Sequence, residues 1–117
     1  MNRYELGKLG EEAVAIYLEK RGYHTLNRNF RIRNGEIDII FTESNTLIFG
    51  EVKTRTNEKF GLPCQAVDIK KMNKIINVAR YFIACNNIKD MNIRFDIFEV
   101  YYKERKIRHI KNAYELR

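Results

Sequence analysis

Asp38, Glu51 and Lys53 are charged residues in stretches whose other members alternate like buried strands. With a period of two, Leu47, Phe49, Glu51 and Lys53 share one face of a strand, and Ile48, Gly50 and Val52 share the other. Leu47 and Phe49 read as packing against a helix, so Glu51 and Lys53 prolong a core face with charge. A carboxylate in that position must be paired, bound to a metal or placed at a cleft edge. In the preceding strand Glu36, Asp38 and Ile40 share a face, and Ile37, Ile39 and Phe41 the other. A turn at Glu43-Ser44-Asn45 lies near the middle of the interval between Asp38 and Glu51, so a hairpin would bring the two acids together. Such a set suits phosphodiester hydrolysis, which needs a hard cation, a deprotonated water and compensation for developing charge. Asp38 and Glu51 offer the oxygen ligands that Mg²⁺ or Mn²⁺ takes, and the Val52 carbonyl between the two functional side chains can add a third. Lys53 can steer the attacking water or stabilise the negative charge. The plainer alternative is an ion pair across two strands.

Glu11 tilts the choice toward chemistry. Its helical neighbours Gly7, Val14, Ala15 and Leu18 are small or apolar, whereas Glu12 faces Lys8 and Glu19. Glu11 is therefore expected to lean toward the sheet and to assist through a water or a second ion.

The elements that must hold these residues can be read in order. Residues 3 to 21 have helical spacing, with Leu6, Leu9, Ala13, Ile16 and Tyr17 as the apolar face, widened by Val14 and Leu18, and with Gly22 as the stop. Strands follow at 24 to 32, 36 to 42 and 46 to 53, joined by connections short enough to require antiparallel pairing, with Asn34-Gly35 as the first hairpin turn. Thr54 to Gly61 reads as a mobile loop. A helix capped by Asp68 runs to Asn86 or Asn87, with Ile69, Met72, Ile75, Ile76, Ala79, Phe82 and Ile83 facing inward and Lys70, Lys74 and Asn77 outward. Strands at 93 to 102 and 106 to 110 complete an α-β-β-β-α-β-β order, an α/β fold with a mixed β-sheet flanked by helices.

The 117 residues suit a single domain spanning 1–117. Lys plus Arg number 22 against 15 acids, a net charge of +7 that favours a polyanionic partner, nucleic acid above all. Arg28, Arg31, Arg33, Arg55, Lys59, Lys70, Lys71 and Lys74 are candidates for a phosphate-binding rim, or else a solvated charged face. Lys70 and Lys71 stand out, because cations in the first turn of a helix oppose its dipole. Cys64 and Cys85 lack zinc-ligand spacing and read as reduced core thiols. His24 and His109 read as solitary surface or sheet-face residues, and no nucleophile–histidine arrangement is visible. With no signal peptide and no apolar run of membrane-spanning length, a soluble cytoplasmic protein without membrane contact is expected.

Gly7-x-x-Gly10-Glu11, Asn29, Gly35-Glu36-Ile37-Asp38, Glu51-Val52-Lys53-Thr54-Arg55, Phe60-Gly61-x-Pro63 and Arg94-Phe95-Asp96 together resemble the YraN-like family, a group of uncharacterised bacterial proteins predicted to be endonuclease-like. The match runs in order across nearly the whole chain. That family is in turn similar to archaeal Holliday-junction resolvases and the wider PD-(D/E)xK nucleases. The resemblance implies a restriction-endonuclease-like fold, with Asp38 as the motif aspartate, Glu51 and Lys53 as its E-x-K, and Glu11 as the acid such nucleases carry on the first helix. Ile37 stands where the superfamily's name places proline, and Gln65, grouped with the nucleic-acid contacts, stands where many relatives carry an acid.

The expected function is a Mg²⁺- or Mn²⁺-dependent endonuclease acting on structured or branched DNA. Its alternatives are a non-catalytic nucleic-acid-binding module and a protein in which the three charges merely form a salt-bridge network. Resolving junctions would require two active sites and so a homodimer, although no residue pattern marks a dimer face.

Overall fold

The computed structural model describes residues 1–56 and 69–115. Its elements are α1 (Arg3–Lys20), β1 (His24–Ile32), β2 (Gly35–Glu43), β3 (Thr46–Arg55), α2 (Ile69–Cys85), β4 (Asn92–Tyr101) and β5 (Lys106–Tyr114). The strands form one sheet in the order β1-β2-β3-β4-β5. The first three pair antiparallel, β3 and β4 pair parallel, and β4 and β5 pair antiparallel. This is the α-β-β-β-α-β-β order with a mixed sheet that the sequence predicts, and it is consistent with a restriction-endonuclease-like fold.

The helices cover opposite faces. Ile75, Ile76, Val78, Ala79 and Phe82 of α2 pack with Ile37, Ile40, Leu47, Phe49 and Phe95. Val14 and Leu18 of α1 pack with Ile39, Phe41, Ile48, Phe98 and Val100. Asn2 and Glu5 form a reciprocal capping box that starts α1. The helix ends as expected at Gly22, whose φ of +82° is cheap only for glycine, with Tyr23 N–H returning to the Leu18 carbonyl.

Several expectations need correction. The buried stripe of α1 is Gly10, Val14 and Leu18, while Leu9 is 48% exposed and Ile16 is also exposed. The reason is the close approach of α1 to β3: a Cβ on Gly10 would lie 1.9 Å from Thr54 Oγ1. The helix makes its closest approach to the sheet at Gly10, and Val14 and Leu18 fill the contact beyond it. Ile69 of α2 is likewise exposed.

Gly35 is not in the first hairpin turn. It pairs with Ile32, so the turn is Arg33-Asn34, and the glycine is required because a Cβ would meet Val78 Cγ2 at 2.8 Å. Residues 54 and 55 are not loop, since they continue β3 opposite Val100 and Tyr101. The last strand runs on to Tyr114. Cys85 is exposed at the end of α2 rather than in the core, while Cys64 lies outside the described residues, as do Asp68 and positions 57 to 61.

The most consequential departure is a kink. Ile37 and Ile39 lie in cores on opposite sides of the sheet, so strict alternation fails at Asp38 between them. Opposite this point in β1, Asn29 has a φ of +52°, a conformation asparagine tolerates better than most residues. Phe30 and Ile32 then pack with the α2 core, and Leu26 stays exposed.

Candidate active site

The site occupies a split between β2 and β3. Their ladder runs from Glu43↔Thr46 to Ile39↔Gly50 and stops. Gly50 closes it because a Cβ there would lie 2.9 Å from both Ile39 Cγ2 and Phe98 Cε2. Past that pair β2 continues along β1, and β3 continues along β4. At the fork, Asp38 Oδ2 accepts a hydrogen bond from Val52 N–H at 2.8 Å, a side chain standing in for the lost strand partner.

Glu51 is the next residue after the fork and is only 8% exposed. Its Oε1 is shared by Lys53 Nζ at 3.2 Å and Lys71 Nζ at 2.5 Å, while its Oε2 is buried without a hydrogen-bond partner among the described residues. Asp38, Glu51, Glu36, Lys71, Lys74 and Ile75 line a common cavity of about 350 Å³. The two acids that the hairpin was expected to bring together thus border one space.

The electrostatics follow from this crowding. Burial pushes the Asp38 carboxyl up to about 7; the Val52 hydrogen bond opposes this, and the charges of Glu11, Glu51 and Glu36 add to it. Burial also lowers the Lys53 ammonium, with the Glu51 charge pulling the other way. For Lys71 burial is outweighed by its hydrogen bond and charge contact with Glu51, and the net shift is upward.

Glu11 does lean inward, with its side chain 17% exposed against 56% for Glu12. It receives Asn29 Nδ2 at 3.0 Å and Lys8 Nζ at 3.3 Å, and Glu12 pairs with Arg28 at the surface. Glu11 lines a neighbouring cavity with Gly7, Val52, Thr54 and Arg55 instead of the one holding Asp38 and Glu51. Among the described residues, no three His, Cys, Asp or Glu side chains converge closely enough to form a metal cage on their own.

The expected rim divides. Lys71 belongs to the site itself through Glu51, which periodicity could not reveal because the contact crosses from α2 to β3. Arg31 is tied to Glu36 at the cavity edge. Arg33 and Lys70 are exposed, and Arg55 is half-buried with its Nε lacking a partner among the described residues. Lys59 and Gln65 lie outside the described residues, together with Phe60, Gly61 and Pro63.

A second charged cluster joins β4 to β5 and α1. His109 is not solitary: Nε2 lies 2.7 Å from Asp96 Oδ2 and Nδ1 lies 3.3 Å from the Tyr17 hydroxyl. Arg94 grips the same carboxylate through Nε and NH2, and Asn112 N–H adds a further bond. Burial would raise Asp96, but its His109, Arg94 and Asn112 donors outweigh burial and hold it below the usual carboxylate range. The cluster ties β4, β5 and α1 together. The visible signal was an aspartate inside the apolar run Phe95-Asp96-Ile97-Phe98, directly after an arginine. His24 is exposed, as expected.

Among the described residues no helix is long and apolar enough to cross a membrane. A model of the uncharacterised protein family UPF0102 matches residues 10–100. A UPF0102 protein of Clostridioides difficile is 48% identical over 114 residues, covering 97% of this chain and all of the relative. A UPF0102 protein of Caldanaerobacter subterraneus subsp. tengcongensis is 44% identical, with 97% of this chain and 98% of its own covered. One from Caldicellulosiruptor saccharolyticus is 45% identical over 97% of this chain and all of its own. With the family match spanning every residue of the fork and a relative 48% identical across 97% of the chain's length, the chain belongs to the UPF0102 family.

Proposed function

We propose that this protein is a Mg²⁺- or Mn²⁺-dependent endonuclease acting on nucleic acid, most of all on structured or branched DNA. The observation that carries the reading is the pair of carboxylates, Asp38 and Glu51, on one cavity beside Lys53. The donor set fits a hard divalent cation: both acids offer oxygen, and Glu51 Oε2 is buried without a partner among the described residues. Two protein carboxylates are an ordinary complement for Mg²⁺, which keeps waters and phosphate oxygens as its other ligands. Asp38 and Glu51 would hold the ion, with the Val52 carbonyl as a third oxygen, and Glu11 would assist through a water from the neighbouring cavity. The ion, when bound, polarises a phosphoryl oxygen and lowers the pKa of water. Lys53 would orient the attacking water and offset charge on the phosphorus oxygens. Lys71 can turn from Glu51 toward a substrate phosphate, a move that binding at the cavity would favour. Arg31, Arg33, Arg55, Lys59, Gln65 and Lys70 would contact the backbone around the site.

The test is incubation of purified protein with labelled single-stranded, duplex, flap and four-way-junction DNA, with Mg²⁺, Mn²⁺ or chelator. Cutting in metal and none in chelator is expected. Salt-sensitive binding without cutting on every substrate would favour a non-catalytic nucleic-acid-binding module.

A further inference from the structure

The β4–β5 turn carries charge that the site does not use. Residues 102 to 111 hold five cations, Lys103, Arg105, Lys106, Arg108 and Lys111, against the one acid Glu104. Much of the chain's +7 is therefore gathered on this hairpin. Residues 102 to 106 are all exposed. Lys103 and Arg105 form no ion pair among the described residues, unlike Arg108, which lies 3.9 Å from buried Glu99.

The turn stands at the site's end of the sheet. Tyr102 N–H donates to the Arg55 carbonyl at 2.9 Å, and Arg55 follows Lys53 by two residues. At a strand rise of about 3.3 Å per residue, the turn starts roughly 7 Å along β3 from the reactive lysine. Tyr102 is 42% exposed. It stands with Arg105 at a cavity of about 340 Å³ whose other walls include Leu6, Leu9 and Ile107. A cationic turn with a half-exposed aromatic residue at the edge of an apolar hollow offers two contacts to one ligand, charge for phosphate and a flat face for a base. An anionic membrane surface would satisfy the charge but leaves the partly enclosed hollow unexplained.

We infer that the β4–β5 turn is a second nucleic-acid contact, where Lys103 and Arg105 take strand phosphates and Tyr102 stacks on an unpaired base. The inference rests on nucleic acid being the partner, and not on the partner being cut. The hollow lies on the α1 face and Lys53, with Glu51 and Lys71, on the α2 face, so a strand held here would have to round the end of β3 to reach the site. The ligand class is thus nucleic acid with an unpaired stretch, such as a flap or a single strand.

The test is equilibrium binding of the full chain, in chelator, to a labelled single strand and to a blunt duplex across a salt series. K103E/R105E, Tyr102→Ala and Tyr102→Phe are compared with wild type, and melting curves confirm folding. K103E/R105E should weaken single-strand binding at least tenfold and flatten its log–log salt slope by more than one, since each phosphate no longer neutralised removes about 0.7 from the slope. Tyr102→Ala should weaken single-strand binding about tenfold or more and leave duplex binding nearly unchanged, with Tyr102→Phe close to wild type. Folded variants with unaltered affinity and slope would overturn the inference. So would a wild type that binds neither DNA, or variants that lose only their affinity for phosphatidylserine vesicles. Turn-dependent binding in a protein that never cuts would support it while removing the nuclease reading.

Discussion

Asp38 is held at the fork by one amide and surrounded by three acids, and this fixes how it responds to protons. Its carboxyl titrates near 7 in the fold and near its ordinary value of 3.8 when exposed, so the folded state binds the proton more tightly. The stability Asp38 contributes is therefore greatest when it is protonated, and it is lost as pH rises from about 4 through about 7. In chelator, the wild type should lose melting temperature between pH 5 and pH 8 relative to Asp38→Asn. At pH 8 the variant should be the more stable of the two, by on the order of 2 kcal/mol. A cation held by Asp38, as proposed, would compete with that proton, so Mg²⁺ should raise the wild-type melting temperature more at pH 8 than at pH 5. Calorimetric melts at the two pH values check both expectations. Asp96 shows the opposite sign. Its lowered carboxyl contributes stability above the unfolded value that disappears as pH falls through the folded one. Removing the donor by His109→Phe should bring acid unfolding to a higher pH, readable by circular dichroism.

Among the elements, β3 decides the site, because it exchanges one neighbour for another within its own length. Its first half pairs on both sides, and past Gly50 it leaves β2 while keeping β4. The packing of α1 against this second half depends on one missing side chain. Gly10→Ala would push a methyl into Thr54 and should cost roughly 1–3 kcal/mol. Thr54→Ala should return much of that loss, since the buried Thr54 hydroxyl has no hydrogen-bond partner among the described residues. Thermal melts of the two single variants and the double variant form the cycle that checks this.

The elements themselves were legible, because alternation and short connections leave little freedom for the meander, and the long apolar stripe of α2 requires a crossover to β4. The acids of the site were legible for a related reason: Asp38 and Glu51 break an apolar pattern. The kink was not, because it depends on a positive φ at Asn29, which no alternation pattern records. Nor was the contact between Lys71 and Glu51, or that between His109 and Asp96. Each joins residues of different elements whose side-chain directions are set only by packing and register. Leu9 and Ile16 misled because hydrophobic bulk marks the core face of a helix only when nothing smaller makes the closer approach.

Across the whole molecule, positive charge dominates the surface while the acids of the fork are sunk in a cavity. The contrast suits a polyanion that is drawn in over a long range and then meets oxygen ligands. Binding to DNA should weaken steeply with salt, in chelator as well as in metal, because the proposed backbone contacts are cationic. A filter-binding series from about 50 to 200 mM salt measures it, and a flat response would remove the nucleic-acid partner from the picture.

The most direct measurement is the initial rate of cutting of one labelled DNA in Mg²⁺ by wild type, Asp38→Asn and Glu51→Gln, each with its melting curve. Both variants should remain folded and cut at least a hundredfold more slowly. If either folded variant cuts at the wild-type rate, Asp38 and Glu51 do not form the metal site of a nuclease.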